Sequence, residues 1–218
     1  MPELYDVHSS EILFDGPIFA VRRDEIATAT GQATRDTVEN FSAVAVVPVH
    51  EGRVLLIRQY RHSVGRYQWE IPAGLLDKVD EQPLAAARRE LAEEAGVAAE
   101  TWHLLADIVT SPGFSQEMCR IYLAEGIREL DAAGEDSQVD APADEEADLE
   151  RRWVPVEEAV RWVQEGIVEN AIATAGLLHL AIGTKRDVNT AFDYTSGLAQ
   201  RRSASAQAAP GADMKGLR

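Results

Sequence analysis

The stretch from Gly74 to Val97, GLLDKVDEQPLAAARRELAEEAGV, decides how this chain is read. Pro83 suits a first helical position, Ala and Leu fill the body, and Gly96 stands just past the end. That pattern predicts a helix over about Pro83 to Ala95. On it, Glu90, Glu93 and Glu94 are related by i,i+3 and i,i+4 spacing, so their carboxylates project from one face. Leu84, Ala87, Leu91 and Ala95 lie on an adjacent face suited to packing on a sheet. Like charges at i,i+4 cost about 0.2–0.5 kcal/mol per pair when nothing neutralises them. A divalent cation reverses that cost, and oxygen-only ligands suit Mg2+ or Mn2+. The alternative is a solvated acidic face, the ordinary role of a Glu-Glu pair on a helix.

The chain on either side of this helix reads as follows. Residues 6–15 and 17–28 are short β-like segments divided at Gly16-Pro17, and Gly31 marks another turn. Ser42 to Val49 (SAVAVVPV) and Arg53 to Tyr60 (RVLLIRQY) flank Glu51-Gly52 and predict a hairpin with one well-buried strand. Trp69 to Ile71 is a short strand ending at Pro72-Ala73-Gly74. After the helix come strands at about 102–109 and 117–124, a short strand at Trp153-Val154, and helices at 156–165 and 168–182. Glu125 to Glu150 is polar and acidic and is expected to be a long loop. The tail from about Leu198, LAQRRSASAQAAPGADMKGLR, is unpatterned and expected to be largely disordered. The class is mixed α/β, divided into an N-terminal β region (1–40), a main domain (41–184) and a tail (185–218).

The 218 residues carry 21 Lys+Arg against 37 Asp+Glu, a net charge of −16. A length of this order fits one domain, and 45% hydrophobic residues with four Trp exclude global disorder. Such acidity argues against nucleic acid as a partner, because phosphate contacts need a basic footprint. A phosphorylated small molecule stays open, since a metal ion reverses the sign of a site locally. No apolar run approaches the ~18–20 residues of a membrane span, and Met1 to Ser10 lacks the regions of a signal peptide. The expected location is the cytoplasm, without a membrane partner. A single cysteine, Cys119, excludes an internal disulfide and is expected to be buried and inert. The five His show no ligand spacing.

The stretch resembles the Nudix box, G-x5-E-x7-R-E-U-x-E-E-x-G-U with U aliphatic. The chain supplies Gly74, Glu81, Arg89, Glu90, Leu91, Glu93, Glu94, Gly96 and Val97. One departure is that six residues, not five, separate Gly74 from Glu81, with Asp80 at the strict position. The extra residue puts the loop in question and leaves the helical carboxylates in register. The resemblance implies an α/β/α sandwich with a central mixed sheet, residues 41–184 forming the catalytic domain. It implies two or three Mg2+ ions (Mn2+ as a substitute). Glu90 and Glu94 would be direct ligands, Glu93 would bridge to a second ion or hold a water, and the Ala73 carbonyl would be a further ligand. Arg89 would orient the glutamates, Glu81 would tie loop to helix, and Gly74 and Gly96 would serve a turn and a helix end.

Two features resemble the ADP-ribose pyrophosphatase subgroup. Pro112 lies 15 residues after Val97, and RQYRHSVGRYQWEIPAGLLD spans Arg58 to Asp77. This implies hydrolysis of ADP-ribose to AMP and ribose 5-phosphate, with another nucleoside diphosphate derivative or a non-catalytic sensor domain as alternatives. Arg61 would pair with a phosphate, or else with a nearby acid. Phe19 and Trp69 would wall in the adenine, or else belong to the core, and Glu70 would hydrogen-bond adenine or ribose. A glutamate of the late acidic loop, Glu146 or its neighbour Glu145, would act as base. Relatives in this subgroup are often homodimers whose N-terminal strands help complete the partner's site.

Overall fold

The computed structural model describes residues 5–130, 149–192 and 196–217. Three strands, β1 (Val7–Asp15), β2 (Phe19–Thr28) and β3 (Gly31–Asn40), form an antiparallel sheet of their own in the order β1-β2-β3. Seven more make the central sheet: β4 (Ala43–His50), β5 (Arg53–Arg61), β6 (Arg66–Glu70), β7 (Ala73–Leu75), β8 (Val97–Val109), β9 (Met118–Glu129) and β10 (Glu150–Pro155). Their order is β10-β5-β4-β9-β8, with β6 added to β5 and β7 to β4. The β4–β9 pair is parallel and the others antiparallel, so the sheet is mixed. The helices are α1 (Pro83–Ala95), α2 (Val156–Gln164), α3 (Ala171–Ala181) and α4 (Gly197–Ser203).

Strand β4 shows why the sequence builds three layers. Ala43, Ala45 and Val47 face one cluster with Leu56, Ile121, Trp162 and Leu177. Val44 and Val46, one residue out of phase, face another with Ala87, Leu91 and Leu104. A strand covered on both faces needs apolar residues at every position, which is what SAVAVVPV supplies. Helix α1 therefore lies on one face of the sheet and α2 with α3 on the other.

The β4–β5 hairpin turns at Glu51 (φ 48°) and Gly52 (φ 75°), two left-handed residues as a two-residue loop of this hand requires. The two strands pair directly only at Val49–Val54 and His50–Arg53. Beyond that they part, β7 pairing with Ala43–Ala45 of β4 and β6 with Ile57–Arg61 of β5. This parting brings the end of β7 against α1.

Two expectations are corrected. The acidic segment begins later than expected, because Glu125–Glu129 continues β9 and pairs with Val97–Thr101, which extends β8 back to Val97. Pairing with a neighbouring strand, not patterning, sets these ends. The tail is not largely disordered: residues 196–217 form α4 and a short 3₁₀ turn at Met214–Gly216. Leu198, Met214 and Leu217 are buried with Ala20, Phe41 and Val79. Arg201 pairs with Glu39, while Arg202 binds the Asp15 carboxylate and the carbonyls of Gly16 and Leu217. Upstream, buried Arg120 pairs with Asp107 and donates to the carbonyls of Thr190 and Ala191. Averaged composition hid a few apolar residues spaced to fill one hollow.

Cys119 is buried, and burial pushes its thiol pKa up. No helix among the described residues is long and apolar enough to cross a membrane. Leu198→Ala is expected to cost about 2–5 kcal/mol in urea unfolding, the range for truncating a buried leucine. A tail that did not pack would give no change.

Candidate active site

Helix α1 presents its carboxylates as the spacing dictates. Ala86, Ala87 and Leu91 are fully buried against the sheet, which fixes the rotation of the helix. Glu90 and Glu94 come to lie at the edge of this contact, each 8% exposed. Gly96 ends the helix in the left-handed conformation (φ 68°) that a residue without Cβ adopts freely.

Arg89 organises the face. Its Nε and Nη2 donate to the Glu81 carboxylate at 3.0 and 3.1 Å, and its Nη1 donates to Glu90 at 2.6 Å and Glu93 at 2.9 Å. Burial disfavours the guanidinium charge, but the Glu81 hydrogen bonds and the three carboxylates outweigh it and raise the Arg89 pKa. Glu94 accepts a hydrogen bond from the Ala73 N–H of β7 at 2.8 Å. Burial pushes the Glu90 carboxyl up to about 7; Arg89 opposes this, while Glu93 and Asp77 reinforce it.

Gly74 has a different task from the one expected. It lies within β7, opposite Val44, and its φ is not positive, so it is not a turn glycine. A Cβ there would stand 2.0 Å from both Cδ and Oε1 of Glu90. Glycine leaves the space that the Glu90 carboxylate occupies. The extra residue between Gly74 and Glu81 is absorbed at Asp80, which takes a left-handed φ of 62°, a conformation that Asp tolerates better than most residues.

Sequence reasoning missed two contributors. Arg151 of β10 donates to the carbonyls of Glu93 and Glu94 and so satisfies the C-terminal end of α1. Asp77, 6% exposed, is held by Lys215 of the tail at 2.7 Å. Both partners are brought from distant chain segments, and no local signal marks them.

The expected substrate residues are distributed unevenly. Arg61 forms a two-pronged pair with buried Glu70, Nε to Oε1 at 2.9 Å and Nη2 to Oε2 at 2.6 Å. Trp69 packs on Trp162 of α2, ring centres 5.4 Å apart, and joins the core on that side. Phe19 sits on the separate N-terminal sheet, 5.2 Å from the Phe14 ring. Pro112 lies in the turn before Phe114 and Gln116, whose main-chain atoms bond both sides of Val38 in β3. Glu145 and Glu146 lie outside the described residues.

In the present side-chain positions, no group of three His, Cys, Asp or Glu among the described residues closes around one point. Glu90 and Glu93 turn to Arg89, and Glu94 to the Ala73 N–H. The donor chemistry nevertheless fits a hard divalent cation. It is all oxygen, it comes from one helical turn, and the strand facing Glu90 carries no side chain at Gly74.

The NUDIX domain family matches residues 39–173, well over half of the chain. The chain belongs to this family. It is 46% identical over 176 residues to an ADP-ribose pyrophosphatase of Mycobacterium tuberculosis, covering 80% of this chain and 82% of the relative. It is 34% identical over 159 residues to a methanol dehydrogenase activator of Bacillus methanolicus, covering 72% and 81%. A solved structure described as an ADP compounds hydrolase superposes with a TM-score of 0.69 at 20% identity, over 83% of this chain and 94% of that one, so the fold is shared.

Gly74→Ala is expected to force Glu90 from its place, destabilising the protein by about 1–3 kcal/mol as overpacking does, measured by urea unfolding. A second expectation concerns pH in EDTA. A carboxyl whose folded pKa of about 7 lies above its ordinary value stabilises the protein below that ordinary value. Its contribution is lost as pH rises through about 7. Unfolding free energy should fall between pH 5 and 7.5, and Glu90→Gln should flatten that fall.

Proposed function

We propose that this chain hydrolyses ADP-ribose to AMP and ribose 5-phosphate with divalent cations held on α1. The observation that carries this is the set of three carboxylates on one turn of α1, Glu90 and Glu93 held by Arg89 and Glu94 by the Ala73 N–H, with the side-chain-free Gly74 facing Glu90. The substrate is suggested by the Mycobacterium tuberculosis relative, which is described as an ADP-ribose pyrophosphatase and matches 80% of this chain.

Two or three Mg2+ ions, or Mn2+ in their place, would be held by Glu90, Glu93, Glu94 and the Ala73 carbonyl. Bound there, they would neutralise the diphosphate and polarise the attacked phosphorus. Arg89 holds Glu90 and Glu93 in position, and the Ala73 N–H holds one oxygen of Glu94. Glu146, or its neighbour Glu145, takes a proton from the attacking water, and the P–O bond to the bridging oxygen breaks as the new P–O bond forms. Chain connectivity supports a base from this loop. Arg151, five residues after Glu146, is fixed on the carboxylate-bearing end of α1, and five residues span at most roughly 17 Å. The Arg61–Glu70 pair serves as a rigid polar edge: Arg61 for a phosphate oxygen, and Glu70 for a ribose or adenine hydrogen-bond donor. Trp69 and Phe19 bound the adenine.

The protein works as a homodimer in this reading. All of β1 is exposed, and the N-terminal sheet leaves Val7, Ile12, Leu13, Phe14 and Phe19 to solvent in one protomer. A long exposed edge strand with apolar neighbours calls for cover, and a second copy supplies it. Light scattering should give twice the chain mass, and Phe14→Glu should give one.

The deciding experiment is product analysis with Mg2+ and, separately, ADP-ribose, NADH, GDP-mannose and ADP-glucose. AMP should appear mainly from ADP-ribose, and Glu94→Gln should lower that rate at least 100-fold. Dominant turnover of another member keeps the chemistry and overturns the substrate. Tight ADP-ribose binding without turnover of any member overturns the enzymatic reading. Glu146→Gln should lower kcat and leave KM nearly unchanged; loss confined to Glu145→Gln makes Glu145 the base.

A further inference from the structure

Residues 76–82 link β7 to α1, and so connect the two pieces that form the carboxylate site. The Gly74–Glu90 contact has no slack, since even a methyl group would collide there. The linking segment must therefore hold strand and helix in fixed register. Part of its own fastening is modest: Leu76 N–H donates to the Ser42 carbonyl, and Glu81 N–H to the Lys78 carbonyl. Arg89 of α1 holds the Glu81 side chain, and further main-chain bonds come from the tail. Met214 N–H donates to the Asp77 carbonyl at 2.7 Å, Val79 N–H to the Ala212 carbonyl at 2.9 Å, and Gly211 N–H to the Val79 carbonyl at 2.8 Å. Lys78 and Asp213 form an antiparallel bridge. The Val79 side chain is buried among Leu198, Met214 and Leu217. Lys215 Nζ sits 2.7 Å from the Asp77 carboxylate, whose charge is felt at Glu90.

We propose that residues 211–215 are a strap that sets the 76–82 segment, with Lys215 a positioning residue that holds Asp77 of that segment. The strap is itself anchored, through Arg201 on Glu39 and Arg202 on Asp15, to the N-terminal sheet. It lies outside the NUDIX domain match, which ends at residue 173. Its effect on the site rests on the cation-dependent reading given above.

The test uses the full chain and three variants. Gly211→Pro removes the donor to Val79 and cannot adopt the φ of +79° found there. Lys215→Gln removes the ion pair, and Lys215→Arg keeps it. Amide hydrogen exchange over residues 76–82 should rise about tenfold in Gly211→Pro and Lys215→Gln and stay within twofold of the parent in Lys215→Arg. In the first two, kcat for ADP-ribose should fall about tenfold with KM within twofold. Mn2+ titration of Gly211→Pro should show about tenfold weaker binding. Unchanged exchange in both variants overturns the strap. Faster exchange with unchanged kcat and Mn2+ affinity overturns its role at the site. A parent protein that binds no Mn2+ overturns the cation reading instead, and exchange still decides the strap. Because the Lys215 side chain is 41% exposed, Lys215→Gln carries the test even if Gly211→Pro misfolds.

Discussion

The Glu90 carboxylate occupies the volume where any residue other than glycine at position 74 would place its side chain. That single close approach ties β7 to α1 and sets how the rest of the site is arranged. It requires α1 to sit in one rotation on the sheet, which Ala87 and Leu91 enforce by burial. It also requires the strand to lie near the helix, which the parting of β4 and β5 permits. The position costs Glu90 its hydration, and the raised carboxyl pKa is the sign of that cost. Arg89 offsets part of it with a charge-assisted hydrogen bond.

The same contact explains why the charges are arranged in pairs. Glu81, Glu90 and Glu93 share the Arg89 guanidinium, so three acids are held by one base with its fork fully used. The excess of carboxylate over guanidinium leaves the face negative and able to attract cations. Asp77 and Lys215 repeat the device on the loop side, while Arg151 binds main-chain carbonyls at the C-terminal end of α1. Arg61, Arg89, Arg120 and Lys215 are among the basic residues with which this acidic chain holds carboxylates in position.

Fold and site were legible in the sequence to different depths. Helix α1 was readable to its ends because Pro83, the Ala/Leu body and Gly96 are local signals that act within one or two turns. The hairpin was readable because Glu51-Gly52 separates two apolar runs. Strand β9 was read too short because Glu125–Glu129 has no strand pattern and is held by pairing with Val97–Thr101. The tail was misread because a low density of apolar residues does not reveal that Leu198, Met214 and Leu217 meet in one hollow. Arg61 and Glu70 were both picked out as polar residues of the site, but only the register of β5 and β6 makes them each other's partner.

By itself, the sequence determined the kinds of groups available and their local geometry: carboxylates on one turn of helix, a strand buried on both faces, a glycine at position 74, and a charge balance that disfavours nucleic acid. These follow from 3.6- and 2-residue periods and from end signals that need no partner. The tertiary structure alone decided what those groups are pressed against. It showed that Gly74 clears space for Glu90 instead of making a turn, that Arg151 closes the helix from more than 50 residues away, and that the last residues of the chain fasten the segment leading into α1. Each is a contact between parts of the chain distant in sequence, whose formation depends on how sheets and helices pack and not on any local preference.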